Sequence, residues 1–158
     1  MKTFIEIFDA QFRRIHERSC EFIVLVPDER LFWRPPTVES TSEAYSCGEY
    51  LLRSAAGVEQ TFGGITVRLW DDPFEWTLPE ELATCDKIIE YLNEVEATRK
   101  KGFAYFTSDA DLARQIPAPE RLTPIFKLLL GTSSRAEHFQ GRAFAIFQMF
   151  SSDKLPHF

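Results

Sequence analysis

Metal chemistry in a helical protein needs histidines or carboxylates three or four residues apart on facing helices. This chain has only His16, His138 and His157. None has a second histidine at helical spacing, so each reads as a surface or satisfied core residue. The nucleophile elbow GxSxG, the P-loop and GxGxxG are all absent. Adjacent acids occur at Asp71-Asp72 and Glu80-Glu81, but among prolines, where they read as solvated surface. No residue qualifies from sequence as a catalytic group.

Two arginines stand out instead. Arg53 interrupts the apolar run YLLRSAAGV, and Arg135 lies in SSRAEHF with Phe139 one helical turn beyond it. A guanidinium is a permanent cation with a planar fork of donors, suited to carboxylate or phosphate. The plain alternatives are an i,i+4 pair of Arg53 with Glu49 and exposure of Arg135 opposite the apolar stripe. If the arginines face one interior, each needs an acceptor, because an unpaired buried charge costs several kcal/mol. Glu49, Glu59 and Glu137 are the nearest acids in sequence.

Four amphipathic segments must position these residues. The longest runs from Thr123 to Phe150, with Leu122, Phe126, Leu129, Ser133, Ala136, Gln140, Ala143, Phe147 and Phe150 as one stripe. Thr123 is its expected cap and Pro124 its first-turn residue. A helix of about 27 residues spans about 40 Å and must lie against others. The first helix is expected from Thr3 to Val26. The second starts between Thr41 and Ser46 and weakens at Gly63-Gly64. The third starts at the cap Thr84 and carries its stripe to Phe106.

Pro-rich connections join them. Leu31, Phe32 and Trp33 are expected to plug one end. Trp70, Phe74 and Trp76 are expected to fold back, and Asp109–Ala113 to form one helical turn. The tail 151–158 is expected to fray. The expected fold is thus all-α, a four-helix bundle with long connections, formed by one domain over residues 1–150.

Composition narrows the function. A net charge of -6 argues against a general nucleic-acid binder. No apolar run reaches 18 residues, so no membrane partner is expected. The N-terminus MKTFIEIFDAQFRR has early acids and no signal-peptide pattern. Cys20, Cys47 and Cys85 form no CxxC and read as buried free thiols in a reducing cytoplasm. The 15 phenylalanines exceed what one small core must hold. Phe144 and Phe150 are either core or a contact surface for a second copy.

Three stretches taken together resemble the DinB/YfiT-like superfamily of four-helix bundles. LVPDERLFWRPP is similar to the family's connection after the first helix. SCGEYLLRSAAGVEQ is similar to its second-helix motif, and LTPIFKLLLGTSSRAEHFQGR to its fourth. The resemblance implies that three histidines from the second and fourth helices hold one divalent ion, such as zinc or nickel, in metal-binding relatives. Those positions fall on Arg53, Arg135 and Phe139. His138 survives beside the last, about 100° around the helix.

The resemblance also implies a homodimer, and for some relatives a metal-dependent thiol transferase or hydrolase activity. Arginine and phenylalanine offer a metal no lone pair, so no cofactor is expected here. Two guanidinium groups would restore about the charge of the missing ion. The expected function is therefore a non-catalytic domain, structural or binding a small anion. The alternative is a thiol transferase or hydrolase with a shifted metal site including His138 and Glu137.

Overall fold

The computed structural model describes residues 1–36, 44–72 and 80–158. Four long helices dominate it: α1 (Thr3–Ile23), α2 (Cys47–Val67), α3 (Cys85–Ala104) and α4 (Ile125–Phe147). Strands β1 (Gln115–Pro117) and β2 (Leu122–Pro124) form a small antiparallel sheet. Each helix buries a stripe of the expected kind, and the stripes meet in one core that includes Phe12, Phe22, Leu51, Phe62, Ile88 and Phe147.

The helices are not arranged in chain order. α4 packs on α1 and α2, and α3 also packs on α1 and α2. Ser54 meets Ala136 while Thr61 meets Thr132, so α2 and α4 run antiparallel. Phe8 meets Phe126 and Phe22 meets Phe147, so α1 and α4 run parallel. Glu59 meets Tyr91 and Phe62 meets Phe103, so α2 and α3 also run parallel. A parallel neighbour requires the chain to travel back along about 30 Å of helix, which accounts for the long connection 68–84.

Helix ends are settled partly by distant residues. Lys2 offers α1 no side-chain cap. Asp109 supplies one instead, accepting from the Phe4 and Ile5 amides at 3.1 Å each. Asp28 accepts from the Cys85 amide at 2.9 Å, assisting the Thr84 hydroxyl at the start of α3. The helical turn expected at Asp109–Ala113 forms as a short 3-10 segment and carries that cap.

Several expectations need correction. α4 begins at Ile125, two residues late, because Thr123 and Pro124 pair with Ile116 and Gln115 in the sheet. Leu122 is consequently exposed, and Phe126 is 39% exposed although it sits edge-on to Phe4 and Phe8. α1 stops at Ile23 and α4 at Phe147, short of Val26 and Phe150. α2 starts at Cys47 with Ser46 as cap and runs through Gly63-Gly64 until Arg68 takes a left-handed conformation at φ 61°.

The tail is not frayed. Phe158 lies against Phe144 at 5.4 Å and beneath the Arg18 guanidinium at 4.5 Å. Phe144 is core, 4.7 Å from Phe22, and Phe150 packs on Trp33 and Phe147. Neither is a free contact surface. Leu31 is buried and Phe32 and Trp33 pack against the core, as the plug required. Phe74 and Trp76 lie outside the described residues.

Two glycines make opposite predictions. A Cβ on Gly102 would collide with the fully buried Phe62 ring, whereas one on Gly131 meets nothing within 4 Å. Gly102→Ala should therefore destabilise by about 1–3 kcal/mol through overpacking. Gly131→Ala should stabilise by about 0.5–1 kcal/mol through backbone entropy. Urea unfolding at unchanged m-value measures both.

Candidate functional site

The seam between α2 and α4 is built from small side chains. The Ser54 hydroxyl donates to the Ala136 carbonyl at 2.8 Å, and the Thr61 and Thr132 hydroxyls lie 2.6 Å apart. Ala55, Ser133 and Ala136 are also buried. Residues one position beside the seam therefore reach its rim from both helices. Arg53 follows Leu52 on α2, Arg135 precedes Ala136 on α4, and both line one cavity of about 230 Å³ with Phe139. Ala56, Gly57, Gln60 and Asp72 complete its wall.

The three positions singled out from sequence thus come together. Arg53 is half-buried, with its guanidinium 4.1 Å from the Tyr45 ring centre. Arg135 is exposed and joins no ion pair among the described residues. Phe139 is half-buried and stacks on Tyr50 at 6.2 Å.

The acids expected to neutralise the arginines are engaged elsewhere. Glu49 caps α2, accepting from the Ser46 amide at 2.9 Å and hydroxyl at 2.8 Å, and is gripped at both oxygens by Arg34. The motif Ser46-x-x-Glu49 is a capping box, a local signal in the sequence that places Glu49 at the start of α2. Burial works to raise the Glu49 carboxyl, but the hydrogen bonds from Arg34 and Ser46 outweigh it and hold the group below the usual carboxylate range. Glu59 accepts from the Tyr91 hydroxyl of α3 at 2.7 Å. Glu137 turns to α1, accepting from Arg18 at 2.8 Å and Gln11 at 2.6 Å. The carboxylate at the cavity is instead Asp72, which reads in sequence as plain surface.

His138 is exposed, its ring 5.6 Å from that of Phe139. It shares no site with Glu137, which the Arg18 bond holds on the α1 side. Among the described residues no three His, Cys, Asp or Glu side chains are grouped to hold a metal. Two guanidinium groups and a phenyl ring at the carried-over positions do not fit a divalent ion, since none gives it a lone pair.

A second cavity of about 360 Å³ adjoins the first and shares Gln60 and Arg135 with it. Trp70, the turn of the β1–β2 hairpin, Lys127 and the Thr61–Thr132 pair line it. The hairpin has no periodic signature at three residues per strand, so this cavity was not expected. Its one local sign is Gly64, where any Cβ would collide with the Trp70 indole.

No family model, curated protein or solved structure matches this chain. Its functional reading therefore rests on the residues themselves. Cys20, Cys47 and Cys85 are free. Burial pushes the Cys47 thiol up to about 11 and, with Asp28 beside it, the Cys85 thiol up to about 12, so neither is a thiolate at neutral pH.

The Glu49 arrangement predicts a pH dependence. Its folded pKa lies below the unfolded value, so its contribution is complete above about pH 4.3 and is lost as pH falls through the folded pKa. Glu49→Gln should cost about 1–2 kcal/mol at pH 7. The gap between variant and wild type should close as pH drops below about 4. Urea unfolding between neutral and acid pH would detect a gap that fails to close.

Proposed function

We propose that this chain is a DinB/YfiT-like domain in which arginines replace the metal ligands, and that it binds a small carboxylate or phosphate between α2 and α4 without catalysing a reaction on it. One observation carries this reading. Arg53 and Arg135, placed on two different helices, line a single cavity with Phe139. The resemblance puts the family's three ligands at these same three residues, so their convergence also supports the family reading.

The chemistry is straightforward. Arg53 and Arg135 put two guanidinium groups on one cavity, an arrangement that suits an anionic ligand. Each guanidinium presents parallel N–H groups that match two oxygens of a carboxylate or phosphate. Gln60 adds an amide that can donate or accept.

A homodimer is part of the same proposal. It is supported by exposed apolar side chains on two adjacent helices: Phe4 and Ile7 on α1, Phe126 and Leu130 on α4. Three free thiols support a reducing, cytoplasmic setting. Among the described residues no helix is long and apolar enough to cross a membrane.

Small anions should raise the melting temperature of the protein at constant ionic strength. Arg53→Ala and Arg135→Ala should each weaken binding tenfold or more, about 1.4 kcal/mol. Arg135→Ala should leave stability without ligand within about 0.5 kcal/mol, as for an exposed site. A melting shift that is absent in wild type, or that persists in both variants, rules the site out.

A further inference from the structure

We propose that the cavity beside Trp70 is the second half of the anion site, and that the ligand is a planar ring whose carboxylate or phosphate is gripped at Arg135. This rests on the anion-binding reading and specifies its ligand class. The two cavities share Arg135 and Gln60, so they form one groove over the α2–α4 seam. At about 230 Å³ the first has room for a small charged group. The second, at about 360 Å³, enters the range of about 300–1,000 Å³ typical of pockets that enclose organic ligands.

The second cavity has a fixed flat wall. The Trp70 indole lies against Gly64, where any side chain would collide with it. Its Nε1–H donates to the Pro117 carbonyl of β1 at 2.9 Å. The Trp70 main-chain carbonyl accepts from Gln60 Nε2 at 3.2 Å. Gly64 and Pro117 hold the ring, and through it the hairpin, while Gln60 holds the backbone that carries it. A rigid indole lining a cavity is a stacking surface for another flat ring, and aromatic pairs gain energy beyond area burial.

The charges point the same way. Arg121, Lys127 and Arg135 line this cavity against the single carboxylate of Glu120. On a chain of net charge -6, a cluster of three cations runs against the overall field and selects an anion. The floor is the Thr61–Thr132 pair, 6% and 8% exposed. Buried hydroxyls suit a polar-edged ring better than a lipid chain.

Titration calorimetry at fixed ionic strength tests this with two probe pairs: phosphate against phenyl phosphate, and acetate against benzoate. The ring-bearing member of each pair should bind at least tenfold tighter. Gly131→Phe places a ring in the second cavity from a position where a Cβ meets nothing within 4 Å. It should abolish that advantage while leaving phosphate and acetate affinity unchanged. Trp70→Leu should do the same, and the Gly131 variant stands in for it if loss of the indole unfolds the hairpin. If phosphate or acetate binds but the ring adds nothing, or its advantage survives Gly131→Phe, the ring pocket is overturned and the anion site stands. If no probe binds, both are overturned.

Discussion

The close approach of α2 to α4 governs this structure. At its centre the facing side chains are small, Ser54 against Ala136 and Thr61 against Thr132, and their hydroxyls find partners in the seam itself. Ser54 donates to the Ala136 carbonyl and the Thr61 and Thr132 hydroxyls bond each other, so each of these buried hydroxyls has a partner across the contact. Two backbones drawn together in this way bring side chains at either edge within reach of one another. Arg53 and Arg135 share a cavity for that reason. Larger residues at the seam would separate them.

The opposite side of the bundle is held differently. α1 meets α4 through a buried polar network in which Gln140 accepts from Arg18 at 3.0 Å and donates to the Ile15 carbonyl and the Ser19 hydroxyl at 2.9 Å each. α1 meets α3 through Arg99, which is almost fully buried and bonded to both oxygens of Glu96 at 2.7 Å and to Asp9. Buried ion pairs contribute little net stability, because desolvation offsets their attraction. They do penalise any arrangement that separates the partners. Arg18 of α1 takes Glu137 on α4, and Arg99 of α3 takes Asp9 on α1 as well as Glu96 on its own helix, so these networks favour the ring order α1, α3, α2, α4 over the simple order of the chain. They also occupy Glu137, which leaves that carboxylate out of the Arg135 cavity.

The connections complete the site as well as the fold. The α3–α4 connection caps α1 through Asp109 and then forms the hairpin whose turn walls the larger cavity. The start of the α2–α3 connection contributes Trp70 and Asp72. Both residues line the cavities over the seam between α2 and α4. Trp70, anchored on Gly64 and bonded to Pro117, draws the first residues of the connection over that seam.

The sequence by itself determined the four helices, their buried faces and the end plug, because apolar spacing and local breakers are short-range signals that survive without knowledge of partners. It also singled out Arg53, Arg135 and Phe139, which a resemblance brought together and the α2–α4 contact places around one cavity. Boundaries failed where a remote group overrode a local preference: Thr123 and Pro124 read as a helix start until β1 claims them, and the tail reads as frayed until Phe158 finds Phe144 and Arg18. The partners of Glu59 and Glu137 were decided only by tertiary structure, whereas the hold of Glu49 on Ser46 is a local capping box. Glu59 and Glu137 are each within reach of several donors along the chain. Which one each takes depends on which helix lies beside it, and that is a long-range fact no local pattern encodes.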